Sequence, residues 1–308
     1  MKEETTRKRG GKPGGVRQLA TMTGLSTATV SRALNGKEMV SPEVRNKVFA
    51  AARDLNYRLP SASSRKRVAV ICDNLIEIGV TGYISQIVSQ VFDCLDRRGF
   101  SCELLSETAF LQRNLEFEAD ICGIILICVS EAGQQTFERF NNLPMAVINN
   151  TDIHGFPLVQ SDHYQSGQLA AKAFLEAGHH KVAFLSTEPK ASLLNCVKGF
   201  SETLAGAGYP LEPGLIGFSH HNPLYAEIEK LLSYNPTGIF VADETLILEA
   251  MHLFQAVFKR RVPDDLSCIG LENPSVSSFI SPGLTSISQP HRRLAEMAVQ
   301  LVLDADGP

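Results

Sequence analysis

The chain has 308 residues, of which 44% are hydrophobic and 20% are charged, and its mean hydropathy is −0.01. This composition is typical of a globular protein, and the length fits one small and one large domain, or three small ones. No apolar run approaches the roughly 18 residues of a membrane span, and the basic N-terminus lacks the apolar segment of a secretion signal, so we expect a cytoplasmic protein.

The net charge of −4 combines two parts of opposite sign. Residues 1–67 hold 15 Lys and Arg against 5 Asp and Glu, whereas residues 68–308 hold 14 against 28. Only the first part suits a polyanion such as DNA. Residues 1–15 are almost free of apolar side chains and are predicted to form a disordered basic arm that adds salt-sensitive affinity for phosphate.

The seven cysteines contain no C-x-x-C pair and mostly lie within apolar runs. This usage indicates buried, reduced thiols, so we predict neither a metal site nor another cofactor.

The sequence pattern of residues 16–59, which we call the headpiece, predicts three short helices. Gly24 ends the first helix, Ser26 is a natural N-cap for the second, and Ser41-Pro42 begin the third. The alternative is a three-helix surface module that does not bind DNA, which the local excess of positive charge disfavours. We therefore predict a helix-turn-helix DNA-binding domain.

The second headpiece helix turns Val30 and Leu34 inward and leaves small side chains and one arginine facing outward. Small side chains let a helix enter the major groove, and an arginine can bond a guanine edge or a phosphate. The outward residues are Thr27, Ala28, Thr29, Ser31 and Arg32. The other candidate DNA contacts are Arg17, Ser26, Asn35, Met39, Tyr57 and Lys66.

After a polar hinge linker at 60–67, strand and helix patterns alternate through residues 68–308. The strands are apolar on both faces, which predicts parallel sheets covered by helices on each side. Some 240 residues with this many strands fit two sheets better than one. The predicted strands are 67–73, 101–106, 123–129, 145–150, 181–186, 238–243 and 267–272. The predicted helices are 88–100, 167–178, 197–208, 226–234 and 244–258.

Polar residues occur where several predicted strands end. Ligands of open α/β sheets bind beyond the carboxyl ends of the strands, so these residues are candidates for a ligand site. Each of them could instead cap or shape a turn, which is the commoner role at such positions. They are Asp73, Asn149, Asp243, Glu272 and, on a following extended segment, Gln289.

The headpiece segments VRQLATMTGLSTATVSRALNG and VSPEVRNKVFAAARDLNYR closely resemble the lactose-repressor (LacI/GalR) family of bacterial transcription regulators. Further collinear matches extend the resemblance over roughly residues 16–305; they include DHYQSG, LEAGHHKVAFLS, PTGIFVADE, VPDDLSCIGLEN and PGLTSISQP. The resemblance implies an all-α headpiece followed by a two-lobed α/β domain like the periplasmic binding proteins. In that family, residues corresponding to 68–308 bind an effector and mediate dimerisation.

The resemblance also implies which residues line the cleft between the lobes. In that family, residues at the strand ends described above line the cleft. This chain has carboxylates and amides at those positions. The ligand-binding candidates are Asp73, Asn149, Ser161, Cys196, Asp243, Glu272 and Gln289.

The chain departs from the family pattern at three places. Cys196 stands where a ligand-binding arginine is often found, and Lys66 stands where the family places a leucine wedge. We therefore expect charge contacts and a weak DNA kink from the linker, the alternative being a flexible tether. The chain also stops at Pro308, where relatives continue through another strand, so we expect part of that lobe to be missing.

The function implied by the resemblance is a transcription regulator, a repressor, that binds a pseudo-palindromic DNA operator as a homodimer or tetramer and responds to a sugar-like effector. The alternative is a solute-binding protein with no transcriptional role, which the basic headpiece disfavours. The sequence lacks G-x-S-x-G, P-loop and H-E-x-x-H motifs, so an enzyme is not expected.

Overall fold

The computed structural model describes most of the chain. The described residues are 15–34, 40–55, 57, 66–72, 82–112, 121–129, 133–140, 143–219, 223–271 and 281–304. Within these ranges no helix is both long and apolar enough to cross a bilayer. The same ranges hold no group of His, Cys, Asp and Glu that could bind a metal ion.

The headpiece contains the three predicted helices, α1 (Val16–Thr23), α2 (Thr27–Leu34) and α3 (Pro42–Asp54). The left-handed Gly24, with φ +67°, ends α1 and donates its N–H to the carbonyl of Ala20. The hydroxyl of Ser26 accepts the N–H of Thr29 at 3.0 Å, so the predicted N-cap of α2 is confirmed.

Two five-stranded parallel sheets form the rest of the protein, as predicted. The first lobe contains β1 (Arg67–Cys72), α4 (Gly82–Arg97), β2 (Ser101–Ser106), α5 (Glu107–Gln112), β3 (Ile121–Ile127), α6 (Gln134–Phe137), β4 (Met145–Ile148) and β5 (Leu158–Val159). The second lobe contains α7 (His163–Glu176), β6 (Val182–Ser186), α8 (Ala191–Gly206), β7 (Ile216–Phe218), α9 (Leu224–Ser233), β8 (Gly238–Val241), α10 (Ile247–His252), β9 (Ser267–Leu271) and β10 (Thr285–Ile287).

The chain crosses between the lobes twice. It leaves the first lobe after β5, and after β10 it returns as α11 (His291–Leu303), which packs on α4, β3 and β4. Leu294, Ala298 and Val302 of α11 belong to the same buried cluster as α4. The first lobe is therefore built from two segments that are far apart in the chain, whereas the second lobe is one continuous segment from α7 to β10.

Both sheets have the same strand order. The first is β2-β1-β3-β4-β5 and the second is β7-β6-β8-β9-β10, and all neighbouring strands in both orders are parallel. In each sheet the chain adds its second strand on one side of the first, β2 beside β1 and β7 beside β6, and its third strand on the other side. Open α/β sheets bind ligands at such switch points.

The buried strands explain why their sequences are continuously apolar. In β1, Val68 and Val70 pack into the cluster beneath α4 and α11, while Ala69 and Ile71 pack into a second cluster on the opposite face. Because successive side chains of a strand point to opposite faces, a sheet covered on both sides needs apolar residues at every position.

Several predicted helix limits are wrong. α4 begins at Gly82 and ends at Arg97 instead of spanning 88–100, and α8 begins six residues before its predicted start. The predicted helix 244–258 is interrupted, because residues 243–246 form a turn held by the Asp243 carboxylate, and a π-helical segment, Leu253–Val257, follows α10. The strands β5, β7 and β10 were not predicted, since two or three residues are too few to show alternation.

Helices α7 and α8 are in unusually close contact at two glycines. A Cβ on Gly167 of α7 would lie 2.0 Å from the carbonyl oxygen of Cys196, and a Cβ on Gly199 of α8 would lie 2.1 Å from that of Tyr164. Only glycine allows the two backbones to approach this closely.

Candidate functional site

The headpiece presents the side of α2 that the sequence predicts. Val30 and Leu34 are buried with the rest of the small core, while Thr27, Ala28 and Arg32 are exposed. Thr29 and Ser31 are half-buried, and the Thr29 hydroxyl also lies 2.9 Å from that of Ser26. The cap thus fixes the first turn of α2, and its exposed side chains project from a rigid frame.

The remaining headpiece candidates lie in different environments. Arg17 on α1, Ser26 before α2 and Lys66 before β1 are exposed, whereas Asn35 and Met39 lie outside the described residues. Tyr57, another predicted DNA contact, is 7% exposed and packs into the headpiece core. Burial also raises the pKa of its hydroxyl group.

In the large domain, the two crossover segments are joined by a chain of hydrogen bonds. The Ser161 backbone N–H donates to Oδ1 of Asn149 at 2.6 Å, and the Ser161 hydroxyl donates to Oε1 of Gln289 at 3.0 Å. Nδ2 of Asn149 donates to the hydroxyl of Tyr83 at 2.7 Å and lies 3.3 Å from that of Ser161. Three predicted residues, Asn149, Ser161 and Gln289, are therefore brought together beside the end of β4.

The backbone at this edge is strained. Asn149, after β4, has a φ of +49°, and Cys128, after β3, has a φ of +48°. Non-glycine residues rarely adopt this conformation, and they keep it where the surrounding contacts require it. At Asn149 the requirement is visible, because both ends of its amide are hydrogen-bonded.

The second lobe contributes Asp243 at the switch point between β6 and β8. One carboxylate oxygen accepts the hydroxyl of Thr187 at 2.7 Å, and the other accepts the N–H and the hydroxyl of Thr245 at 2.9 and 2.6 Å. Asp243 thus shapes its own turn, the alternative role for such a position, while it stays partly exposed at the edge of the sheet.

A direct hydrogen bond connects the two lobes at this edge. The backbone N–H of Tyr83, at the start of α4, donates to Oε1 of Glu244 at 2.5 Å. The Tyr83 ring lies 5.4 Å from that of His291, the first residue of α11. Burial raises the pKa of the Tyr83 hydroxyl well above its usual range.

Glu244 is a titratable group in an unusual environment. Burial raises the pKa of its carboxyl to about 7, the Tyr83 N–H acts in the opposite direction, and the neighbouring Asp243 adds a smaller increase. The carboxyl groups of Asp243 and Glu244 make this edge of the second lobe acidic.

The remaining predicted ligand contacts are Cys196, Asp73 and Glu272. Cys196 is fully buried among the aromatic side chains under α7 and α8, and burial raises its pKa to about 12, so it presents no surface to a ligand. The small thiol of Cys196 packs into the core of the lobe. The longer side chain of an arginine at this position would have to extend out of that core. Asp73 and Glu272 lie outside the described residues.

Tyr83, Thr187 and Glu244 of this edge were not among the predicted ligand contacts. Thr187 and Glu244 each follow directly on a predicted strand end, so the strand-end rule that selected Asp243 could have found them. Tyr83 had no such signal, because the start of α4 was placed six residues too late. A polar cavity next to the crossover further unites Ser161 with Ser192 and Asn195 of α8.

The arrangement can bind a small polar molecule. Its side chains supply carboxylates, amides and hydroxyls from both lobes, and the residues joined by these hydrogen bonds include no arginine or lysine. Lys190, the residue before α8, is exposed and paired with Glu188. Such a set accepts hydrogen bonds better than it binds anions.

Two family models match parts of the chain. Residues 16–60 match the family described as bacterial regulatory proteins, lacI family, and residues 171–306 match a periplasmic binding protein-like domain. A transcriptional repressor, PurR of Histophilus somni (strain 2336), is 28% identical over 310 residues, covering 93% of this chain and 90% of its own length. The ribose operon repressor of Haemophilus influenzae is 28% identical, with coverage of 94% and 90%.

Solved structures share the fold over almost the whole chain. A complex of the transcriptional regulator CelR with cellobiose has a TM-score of 0.65 at 22% identity, covering 94% of this chain and 92% of its own. A Lac repressor dimer bound to operator and the anti-inducer ONPF has a TM-score of 0.63 at 22% identity, with coverage of 96% and 93%.

Proposed function

Because the chain belongs to the lacI family of bacterial regulatory proteins, we propose that it represses transcription by binding a pseudo-palindromic operator as a homodimer. A neutral sugar-like molecule, bound between the lobes, controls this binding. The observation that carries the DNA-binding part is α2, a helix capped at Ser26 that exposes Thr27, Ala28 and Arg32. In this proposal the protein acts in the cytoplasm, where its operator DNA lies.

The charge distribution supports this function. The net charge of +10 over residues 1–67 attracts DNA, while the −14 of residues 68–308 keeps the large domain away from it. A homodimer presents two headpieces, which fit two half-sites about one helical turn apart. The large domains hold this pair, and a ligand that changes their lobe arrangement changes the spacing of the headpieces. The effect on DNA is limited by the ligand's differential affinity for the two arrangements.

We expect the full-length protein to retard DNA fragments taken from the neighbourhood of its own gene in a gel-shift assay. The reason is that α2 reads base edges, so affinity depends on sequence in addition to charge. The matched control is a fragment of the same length and base composition in which the half-sites are scrambled. Equal retardation of both fragments at fixed salt would contradict an operator-specific function.

The chemistry of the interlobe cluster supports a neutral ligand. Phosphate and carboxylate groups are bound by arginine, lysine or free helix N-termini, and the residues joined there supply carboxylates and amides instead. Two carboxyl groups, those of Asp243 and Glu244, would repel a phosphate, whereas they accept hydrogen bonds from hydroxyls. A cationic small molecule satisfies the same chemistry.

We expect calorimetry to favour a neutral sugar over its phosphate ester. Suitable pairs are D-glucose with D-glucose 6-phosphate and D-galactose with D-galactose 6-phosphate, because the members of each pair share the hydroxyls of the pyranose ring. For a pair that binds, the neutral member should bind at least about tenfold more tightly, a difference of roughly 1.4 kcal/mol. Preference for the ester would mean that a cation completes the cleft, and the proposal of a neutral ligand would be wrong.

A further inference from the structure

A cavity of about 190 Å³ lies at the edge of the second sheet. The edge strand β10 pairs with residues 269–271 of β9, so within the described residues no strand lies beside Ser267 and Cys268, which begin β9. Phe174 of α7 and Met251 of α10 line this gap from the two faces of the sheet. The gap lies at the amino ends of the strands, whereas the interlobe cluster lies at their carboxyl ends, so the two sites are separate.

Most of the cavity surface is apolar, and the cavity has a buried floor and an open mouth. Phe174 and Cys268 of the floor are buried, while Ala177 at the mouth is exposed. An apolar cavity of about 150 Å³ is large enough to take up benzene, so this cavity accommodates one small aromatic ring. The polar side chains that line it are those of His179, Ser267 and Thr285.

His179 supplies a hydrogen-bond acceptor to the lining. Its Nδ1 lies 2.9 Å from the hydroxyl oxygen of Thr237, and that hydroxyl donates to the backbone carbonyl of Lys181 at 3.2 Å. A hydroxyl has one proton, so Nδ1 carries the proton of the first bond and Nε2 of the neutral ring is an acceptor. Nε2 has no hydrogen-bond partner among the residues that the structure describes.

The lining is uncharged near neutral pH. Burial lowers the pKa of the His179 ring below its usual value and His180 acts in the same direction, while burial raises the pKa of the Cys268 thiol to about 12. The other described residues of the lining have no ionisable side chain. A charged ligand group would lose its hydration here without gaining an ion pair, so the cavity favours neutral molecules.

We propose that this cavity is a second ligand site, which binds a small neutral aromatic molecule of the phenol class whose hydroxyl donates to Nε2 of His179. The apolar floor takes the ring, and the single free ring nitrogen takes the single donor. A sugar fits poorly, because most of its hydroxyls would face apolar side chains. The site goes beyond the proposed function, since neither operator binding nor the sugar-like ligand between the lobes uses it.

Methyl NMR of the full-length protein, without DNA or sugar, tests the site with phenol itself. Met251 and Ile269 line the cavity, whereas Ile87 of α4 lies in the first lobe and serves as the reference. Phenol should shift the Met251 and Ile269 signals with a dissociation constant of about 1 mM or lower, the affinity expected for a ligand of its size, and leave Ile87 unchanged. No saturable shift at about five times that concentration would overturn the proposal.

Toluene separates the hydrogen bond from the burial of the ring, since it has the shape of phenol with a methyl group in place of the hydroxyl. His179→Phe removes Nε2 and keeps a ring beside Phe174, which His179 contacts edge-on. In this variant phenol should bind roughly fivefold to tenfold more weakly, while toluene affinity should not fall, which also shows that the cavity persists. Equal changes for the two ligands would overturn the role of Nε2.

Filling the cavity gives an independent measurement. Ala173→Leu adds bulk at a half-buried position of α7 that lines the cavity, and it should weaken both phenol and toluene at least about tenfold. Ala205→Leu is the matched control, because it makes the same change at an exposed position of α8 outside the cavity, and it should bind both ligands like the wild type. Equal affinities in the two variants would place the binding elsewhere on the surface and overturn the proposal.

Discussion

Replacing Gly199 by alanine is expected to destabilise the second lobe by about 3 kcal/mol. The new methyl group would lie 2.1 Å from the carbonyl oxygen of Tyr164, and that atom belongs to the backbone of α7, which cannot rotate aside as a side chain can. Relief requires α7 and α8 to move apart, and their separation would open the cluster that contains Phe174 and Phe200. The midpoint of urea unfolding, followed by circular dichroism, measures the loss.

Gly206 provides the control for this substitution. It is the last residue of the same helix, and a Cβ there would meet no atom within 4 Å. Gly206→Ala should therefore leave the stability unchanged or raise it by about 0.5 kcal/mol, since alanine loses less backbone entropy in a helix than glycine does. Equal urea midpoints for Gly199→Ala and Gly206→Ala would contradict the close packing of α7 and α8.

Replacing Arg32 by alanine should cost roughly 1–3 kcal/mol of operator affinity, a loss of about 5-fold to 150-fold. Arg32 is the long cationic side chain on the exposed face of α2, and it can bond a guanine edge or a close phosphate. The measurement is the operator dissociation constant at fixed salt, by gel shift or fluorescence anisotropy. Thr27→Ala should show a smaller loss, and changes at Ala28 should alter the preferred base.

Lys47→Ala is the matched control for Arg32→Ala. It removes one positive charge from the same headpiece at an exposed position on α3, outside the recognition helix. Affinity for random DNA should fall by a similar small factor in both variants, because that binding depends on total charge. Only Arg32→Ala should also reduce the ratio of operator to random-DNA affinity. An unchanged operator affinity in Arg32→Ala would remove α2 from its assigned role.

The headpiece was largely predictable because its signals are local. A left-handed glycine at 24 and a hydroxyl at 26 act within one helical turn of where they stand, so their residue types are sufficient to place the ends of α1 and α2. The inward Val30 and Leu34 follow from the helical period alone. The burial of Tyr57 was not predictable for the converse reason: an aromatic ring with a polar tip suits both a phosphate and a small core, and only the packing shows that Tyr57 belongs to the core.

The strand ends illustrate a partial success in the large domain. Continuous apolar runs revealed the buried strands, and the rule for parallel sheets selected Asn149 and Asp243 at their carboxyl ends. That rule describes a position in the sheet and not a contact. It could not tell that Asp243 holds its own turn through Thr187 and Thr245, or that Cys196 turns away from the cleft into the core of its lobe.

The amino-acid sequence alone thus established the helix caps, the exposed face of α2, the two parallel sheets and the edge at which their polar residues gather. Each of these depends on neighbours within a few positions, through helical or strand periodicity and local hydrogen bonds. The pairing of Tyr83 with Glu244 and of Ser161 with Gln289 joins residues 161 and 128 positions apart. Such pairs meet only because two crossovers and a shared strand order bring both lobes to one edge, and no local pattern encodes that meeting.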